Sequence, residues 1–144
     1  MTAPLIMLVD DEVSFVETLV KRLSTRNIET ITAFSAEEGL EKLKKNQNLD
    51  VIVLDIKMPG MDGLEMLKKI KAESFRTEVI MLTGHATIES GIAGMKLGAF
   101  DFLTKPCDIE ELVNKVEEAT KKKRAHDNKI KDAERKKLLK KYEP

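Results

Sequence analysis

Val51-Ile52-Val53-Leu54-Asp55 runs four apolar residues into a carboxylate, and Ile56-Lys57-Met58-Pro59-Gly60-Met61-Asp62-Gly63 follows at once. An apolar run this short and unbroken reads as a β-strand covered on both faces, because a strand with one wet face would alternate. Pro59-Gly60 suits the centre of a type II turn, which shapes the loop directly after Asp55. Leu5-Ile6-Met7-Leu8-Val9, ended by Asp10-Asp11, has the same form. Glu78 to Leu82 and Asp101 to Thr104 are further runs of that kind, and Thr30 to Phe34, half polar, belongs nearer an edge.

Between these runs the apolar period lengthens to that of a helix. Val13, Val16, Leu19, Val20 and Leu23 share one face of a segment that starts after Asp11-Glu12, and Leu40 with Leu43 marks Ser35 to Gln47. Ser35 followed by Glu38 has the spacing of a capping box. Leu64, Leu67 and Ile70 mark a third helix, Ile88, Ile92 and Met95 a fourth, and Ile109, Leu112, Val113 and Val116 a fifth that begins near Cys107. Each such face needs a sheet to cover it. Strand and helix alternating in this way five times point to an α/β domain, a parallel sheet with helices on both faces.

The 144 residues, 42% of them apolar, suffice for one continuous core. The apolar stripe stops at Thr120, which divides the chain into a domain over residues 1–120 and a basic C-terminal helical extension or linker over 121–144. Formal net charge is zero, yet the extension carries 11 Lys/Arg against 4 Asp/Glu, while the first 120 residues carry 14 against 21. An acidic globule bears a basic tail. One cysteine, Cys107, closes no internal disulfide, and with two histidines it offers no zinc-ligand spacing, so a reduced cytoplasmic setting is expected. No stretch approaches the ~20 apolar residues of a membrane span, so no membrane insertion is expected.

In an open parallel sheet, ligands bind beyond the carboxyl ends of the strands, where the connecting loops part. Asp10-Asp11 ends the first strand, Asp55 the third and Thr83 the fourth, and Lys105-Pro106 follows the fifth. Carboxylates brought together raise one another's pKa unless a cation joins them. All the available ligands are oxygens, which favours Mg²⁺ and disfavours zinc or iron. Phosphoryl transfer asks for in-line positioning and neutralisation of charge on the equatorial oxygens, and this set supplies both. Asp55 is the expected acceptor, Asp11 and Asp55 the metal ligands, with Asp10 behind them or bound through water, and Lys105 and Thr83 the partners of the phosphoryl oxygens.

On Asp10-Asp11, Asp55 through Gly63, Thr83-Gly84 and Lys105-Pro106, the chain resembles the response-regulator receiver family, the CheY-like domains of two-component signalling, over roughly Pro4 to Thr120. Gly84-His85-Ala86-Thr87 and the run Lys96 to Pro106 are most similar to receivers of NtrC-type transcription regulators. The resemblance implies a flavodoxin-like, doubly wound (βα)₅ fold of strand order 2-1-3-4-5. It also implies a phosphoryl group received on Asp55 from a sensor histidine kinase or phosphotransfer protein, and the backbone carbonyl of Lys57 as a further Mg²⁺ ligand. The Lys105-Pro106 bond is expected to be cis, and His85 and Lys57 to tune phosphate lifetime. The family's switch pairs the strand-four hydroxyl, here Thr83, with an aromatic, here Phe102. Phe102 has no hydroxyl, so packing must carry the signal.

Gly91 and Gly94 each cost about 1 kcal/mol against alanine inside a helix, which makes the fourth helix the expected movable element unless close packing demands them. In the tail, Asp127 with Lys131 and Asp132 with Lys136 have the i, i+4 spacing that supports a helix continuing from the fifth. A solvated linker helix ranks ahead of a dimerising helix, and direct nucleic-acid binding last, for want of a recognition motif. A homodimer through the helix 4, strand 5 and helix 5 face is a further expectation. The reading is a signalling phosphoacceptor that catalyses only its own phosphotransfer and slow autodephosphorylation, either free-standing or the receiver of a longer transcription regulator. A haloacid-dehalogenase-type phosphatase would place an acid–base aspartate where Lys57 stands.

Overall fold

A computed structural model describes residues 2–85 and 87–143; Met1, Ala86 and Pro144 lie outside the described residues. Five strands, β1 (Leu5–Val9), β2 (Glu29–Ala33), β3 (Val51–Leu54), β4 (Glu78–Thr83) and β5 (Asp101–Thr104), alternate with five helices, α1 (Val13–Ser24), α2 (Ala36–Lys45), α3 (Gly63–Glu73), α4 (Ile88–Lys96) and α5 (Ile109–Lys141). The sheet has order β2-β1-β3-β4-β5 and every pair is parallel. β2 is an edge strand, in keeping with its half-polar composition, and begins one residue before the run read from the sequence.

Because strand side chains alternate, the inner strands feed two cores. Ile6, Leu8, Val51, Val53, Ile80 and Leu82 pack under α1 and α5, whereas Met7, Val9, Ile52, Leu54, Val79 and Met81 pack under α2 and α3. That double covering explains why β1, β3 and β4 read as unbroken apolar runs.

The caps follow local chemistry. Ser35 accepts the Glu38 N–H at 3.1 Å, but the Glu38 carboxylate returns to the N–H of Phe34, one residue earlier than a full capping box. Asp62 accepts from Glu65 N–H at the start of α3, and Asp108, not Cys107, caps α5. Gly60, at φ +79°, takes the left-handed position of a type II turn after Pro59. The Lys105-Pro106 peptide is cis.

α4 is thinly attached: Gly94 alone is buried, and Ile88, Ile92 and Met95 are exposed. A Cβ at Gly91 would stand 3.8 Å from the Phe102 ring, and one at Gly94 would stand 3.6 Å from Met81. Both are ordinary contact distances, so close packing demands neither glycine. α5 buries Ile109, Leu112, Val113, Val116, Ala119 and Thr120, then continues unbroken to Lys141, 33 residues in all and about 50 Å at 1.5 Å per residue. The tail pairs expected at i, i+4 do not form; Asp127 turns back to Lys123, and Asp132 pairs with Arg135. None of the described helices is long and apolar enough to cross a membrane.

Candidate functional site

Backbone hydrogen bonds carry the sheet one residue past its strands and so place the acidic side chains. Asp10 N–H donates to the Ala33 carbonyl at 3.1 Å, Asp55 N–H to the Val9 carbonyl at 3.0 Å, and Lys105 N–H to the Thr83 carbonyl at 2.8 Å. Together with the β3–β4 pairing, these bonds set the carboxyl ends of β1, β3, β4 and β5 side by side. Gly63 N–H donates to the Ile56 carbonyl at 2.6 Å, which closes the loop after Asp55 and seats the start of α3 against it.

Asp10, Asp11 and Asp55 each offer a carboxylate oxygen within 4.8 Å of the others. Asp10 and Asp55 are buried, at 4% and 3% exposure, while Asp11 faces solvent. One ammonium serves the two buried carboxylates. Lys105 Nζ lies 2.5 Å from Asp10 Oδ2, 3.1 Å from Glu12 Oε1 and 3.7 Å from Asp55 Oδ2, and 4.2 Å above the centre of the Phe15 ring. Asp55 Oδ1 is buried without a hydrogen-bond partner among the described residues.

The electrostatics follow from that count. Burial raises the pKa of Asp10, Asp55's charge adds to the rise, and the bonds from Lys105 and from Glu12 N–H only partly offset it. Burial works against the Lys105 ammonium, but its contacts with Asp10 and Glu12 and the charge of Asp55 outweigh it and hold its pKa above that of an ordinary lysine. A site with more carboxylate than ammonium, one orphaned buried oxygen and only oxygen donors has the chemistry of a hard divalent cation site.

Thr83 is fully buried at the end of β4 and its hydroxyl oxygen accepts the His85 N–H at 3.1 Å. His85 and Lys57 are exposed on the loops that flank Asp55, and Phe102 is half-buried on β5 beside Gly91. The structure thus gathers Asp10, Asp11, Asp55, Thr83 and Lys105 at one edge and sets Phe102 on the flank. Sequence reading missed Glu12 and Phe15, which hold the Lys105 side chain. Their signal was available in the acidic run Asp10-Asp11-Glu12 and in Phe15 one helical turn beyond Asp11.

The family model for the response regulator receiver domain matches residues 6–117. DNA-binding transcriptional regulator NtrC of Escherichia coli (strain K12) is 38% identical over 115 residues, 80% of this chain and 24% of that protein. The chain therefore spans about a quarter of the length of the NtrC-type relatives it matches. Among solved structures, a response regulator receiver domain protein from Clostridium thermocellum superposes with a TM-score of 0.81 at 33% identity, covering 85% of this chain and 98% of that one. A chain of the CheX-CheY-BeF3-Mg complex from Borrelia burgdorferi matches at 30% identity and a TM-score of 0.75, over 78% of this chain and 86% of that one. With its sheet order, its acidic edge and its family match in agreement, the chain belongs to the response regulator receiver domains of two-component signalling.

Proposed function

We propose that Asp55 is the phosphoacceptor of this receiver, charged by the phosphohistidine of a sensor histidine kinase or phosphotransfer protein. A carboxylate oxygen of Asp55 attacks phosphorus. The P–N bond to the donor imidazole breaks, its electron pair stays on the ring nitrogen, and an acyl phosphate forms on Asp55. The observation that carries this reading is Asp55 Oδ1, buried and unpartnered among the described residues, with Lys105 Nζ 3.7 Å from the other carboxylate oxygen.

Asp10, Asp11, Asp55 and the backbone carbonyl of Lys57 would hold Mg²⁺. When bound, the ion supplies neutralising charge for the phosphoryl oxygens. The BeF3 and Mg named in the Borrelia burgdorferi complex support that assignment. Lys105 pairs with one phosphoryl oxygen once drawn from Asp10 and Glu12, and the Thr83 hydroxyl, which accepts from His85, keeps its own proton to donate to another. The protein turns over no external phosphomonoester; it catalyses only its own phosphotransfer and slow autodephosphorylation.

Thr83 moves toward the phosphoryl group and frees space for Phe102, and the thinly held α4 follows. The output is a changed α4, β5 and α5 face, where Ile88, Ile92 and Met95 stand exposed, open to a partner or to a second copy as a homodimer. Residues 1–120 are the receiver and 121–144 a basic linker, helical to Lys141, in the cytoplasm, within a longer transcription regulator of the NtrC type. Intact mass after incubation with acetyl phosphate and Mg²⁺ tests the acceptor. One added phosphoryl group is expected, absent with EDTA and in Asp55→Asn; labelling that persists in that variant overturns the assignment.

A further inference from the structure

Lys121-Lys122-Lys123-Arg124 puts four cations into little more than one helical turn, and like charges three residues apart weaken a helix. No residue of α5 described beyond Thr120 is buried, so apolar packing does not hold this stretch either. Counter-charge comes instead from the N-terminal ends of the strands, the sheet edge opposite Asp55. Asp50, buried one residue before β3, accepts from Arg124 Nε at 3.1 Å and Nη2 at 2.9 Å, with Lys123 Nζ 3.8 Å away. Arg124 also donates to the carbonyls of Thr2 and Ala3 ahead of β1, at 2.8 and 3.0 Å. Glu78, buried at the first position of β4, lies 3.5 Å from Lys122 Nζ. Asp127 bridges Lys123 and Arg76 at 2.8 and 3.0 Å, and the His126 ring stands edge-on to Phe75 at 5.5 Å.

We infer that the N-terminal edge of the sheet is a docking surface for a basic helical turn, that Asp50 and Glu78 are its recognition groups, and that the chain's own Lys122–Asp127 occupies it. A helical stretch with no buried residue and a run of like charges draws little support from apolar packing, and in proteins packing supplies most helical stability. Docking supplies the missing support. The two-pronged Asp50 contact needs the planar fork of arginine, which a lysine at 124 would not reproduce. Docking keeps 121–127 helical, and 128–141 stands on that base as an arm with a fixed direction. Asp50 and Asp55 lie at opposite ends of β3, so the arm can be released without disturbing the acceptor.

Amide hydrogen exchange on the full chain tests this, comparing the unaltered protein with Arg124→Gln, Asp50→Asn and Lys129→Gln. Breaking the buried pair is expected to speed exchange across residues 121–141 by about tenfold or more, while Ile109–Ala119 stays protected. Lys129→Gln, on the arm but outside the docking contacts, leaves exchange unchanged. Arg124→Gln also keeps its uptake of one phosphoryl group from acetyl phosphate, whereas loss of uptake would overturn the separation of arm from acceptor. Asp50 also accepts the Leu5 N–H at 3.0 Å, so if Asp50→Asn does not fold, Arg124→Gln decides. Equal protection of 121–141 with and without Arg124 overturns the docking surface.

Discussion

The backbone of Gly63 presses against that of Asp55: a Cβ at 63 would overlap the Asp55 carbonyl oxygen and stand 2.7 Å from Ile56 Cα. Both obstacles are backbone, which cannot swing aside. α3 therefore reaches the acceptor loop only because residue 63 has no side chain. Gly63→Ala is expected to destabilise the fold by about 2 kcal/mol or more and to slow phosphoryl uptake, as overpacking displaces Asp55. Gly84→Ala, with nothing within 4 Å of its Cβ, is expected to stay within about 0.5 kcal/mol. Urea denaturation separates the two, and equal midpoints would refute the close-approach account.

Gly91 and Gly94 behave differently, since an added Cβ at either meets only ordinary contacts. Alanine at each position is expected to stabilise α4 by roughly 0.5–1 kcal/mol through helix propensity. If α4 moves on phosphorylation, the double substitution will also shrink the difference in hydrogen exchange over residues 88–97 between the free protein and one carrying a phosphoryl mimic. An undiminished difference would mean that the glycines do not set the mobility of this helix.

Metal should stabilise the protein through its carboxylates. At a Mg²⁺ concentration 100 times the dissociation constant, linkage predicts about 2.7 kcal/mol of added stability. Asp11 is exposed and has no hydrogen bond or ion pair from its side chain among the described residues, so Asp11→Ala is expected to fold and to lose the thermal shift. A Mg²⁺ shift of full size in that variant would remove Asp11 from the ligand set.

Cys107 gives a pH readout near the site. Burial, then the charges of Glu111 and Asp108, raise its thiol above the ordinary 9.0, and Arg22 opposes them only in part. A raised pKa means less thiolate at neutral pH, so alkylation by iodoacetamide should be slower than for a free cysteine. Its rate should rise with pH to a midpoint above 9, and that midpoint should move back toward the ordinary value in Glu111→Gln. A midpoint below 9 in the unaltered protein would contradict the assignment of these neighbours.

The strands and the acidic edge were legible because their signals are local. Val51–Leu54 is apolar on every residue, and Asp10, Asp55 and Lys105 each follow a strand directly. The tail was legible only in part, for its partners lie far away in sequence. Asp50 is 74 positions from Arg124, and nothing in the spacing of Lys122, Lys123 and Arg124 marks Asp50 or Glu78 as their counter-charges. The i, i+4 spacing pointed Asp127 forward to Lys131, whereas it pairs four residues back with Lys123 on the same helix and, through tertiary contact, with Arg76. The parking of Lys105 between Glu12 and Phe15 was hidden for the same reason, being a contact between the first and last βα units.

The all-apolar β3 has a consequence for folding fidelity. A strand covered on both faces has no inside and outside to tell apart, so its own side chains resist a one-residue slip along its neighbours only weakly. The aspartates at its ends supply the missing address. A slip of about 3.3 Å would pull Asp50 off Arg124 at one end and carry the Asp55 carboxylate away from Lys105 at the other. The alignment of the central strand is thus written in the two charges that bracket it, and only one shift of the chain satisfies both.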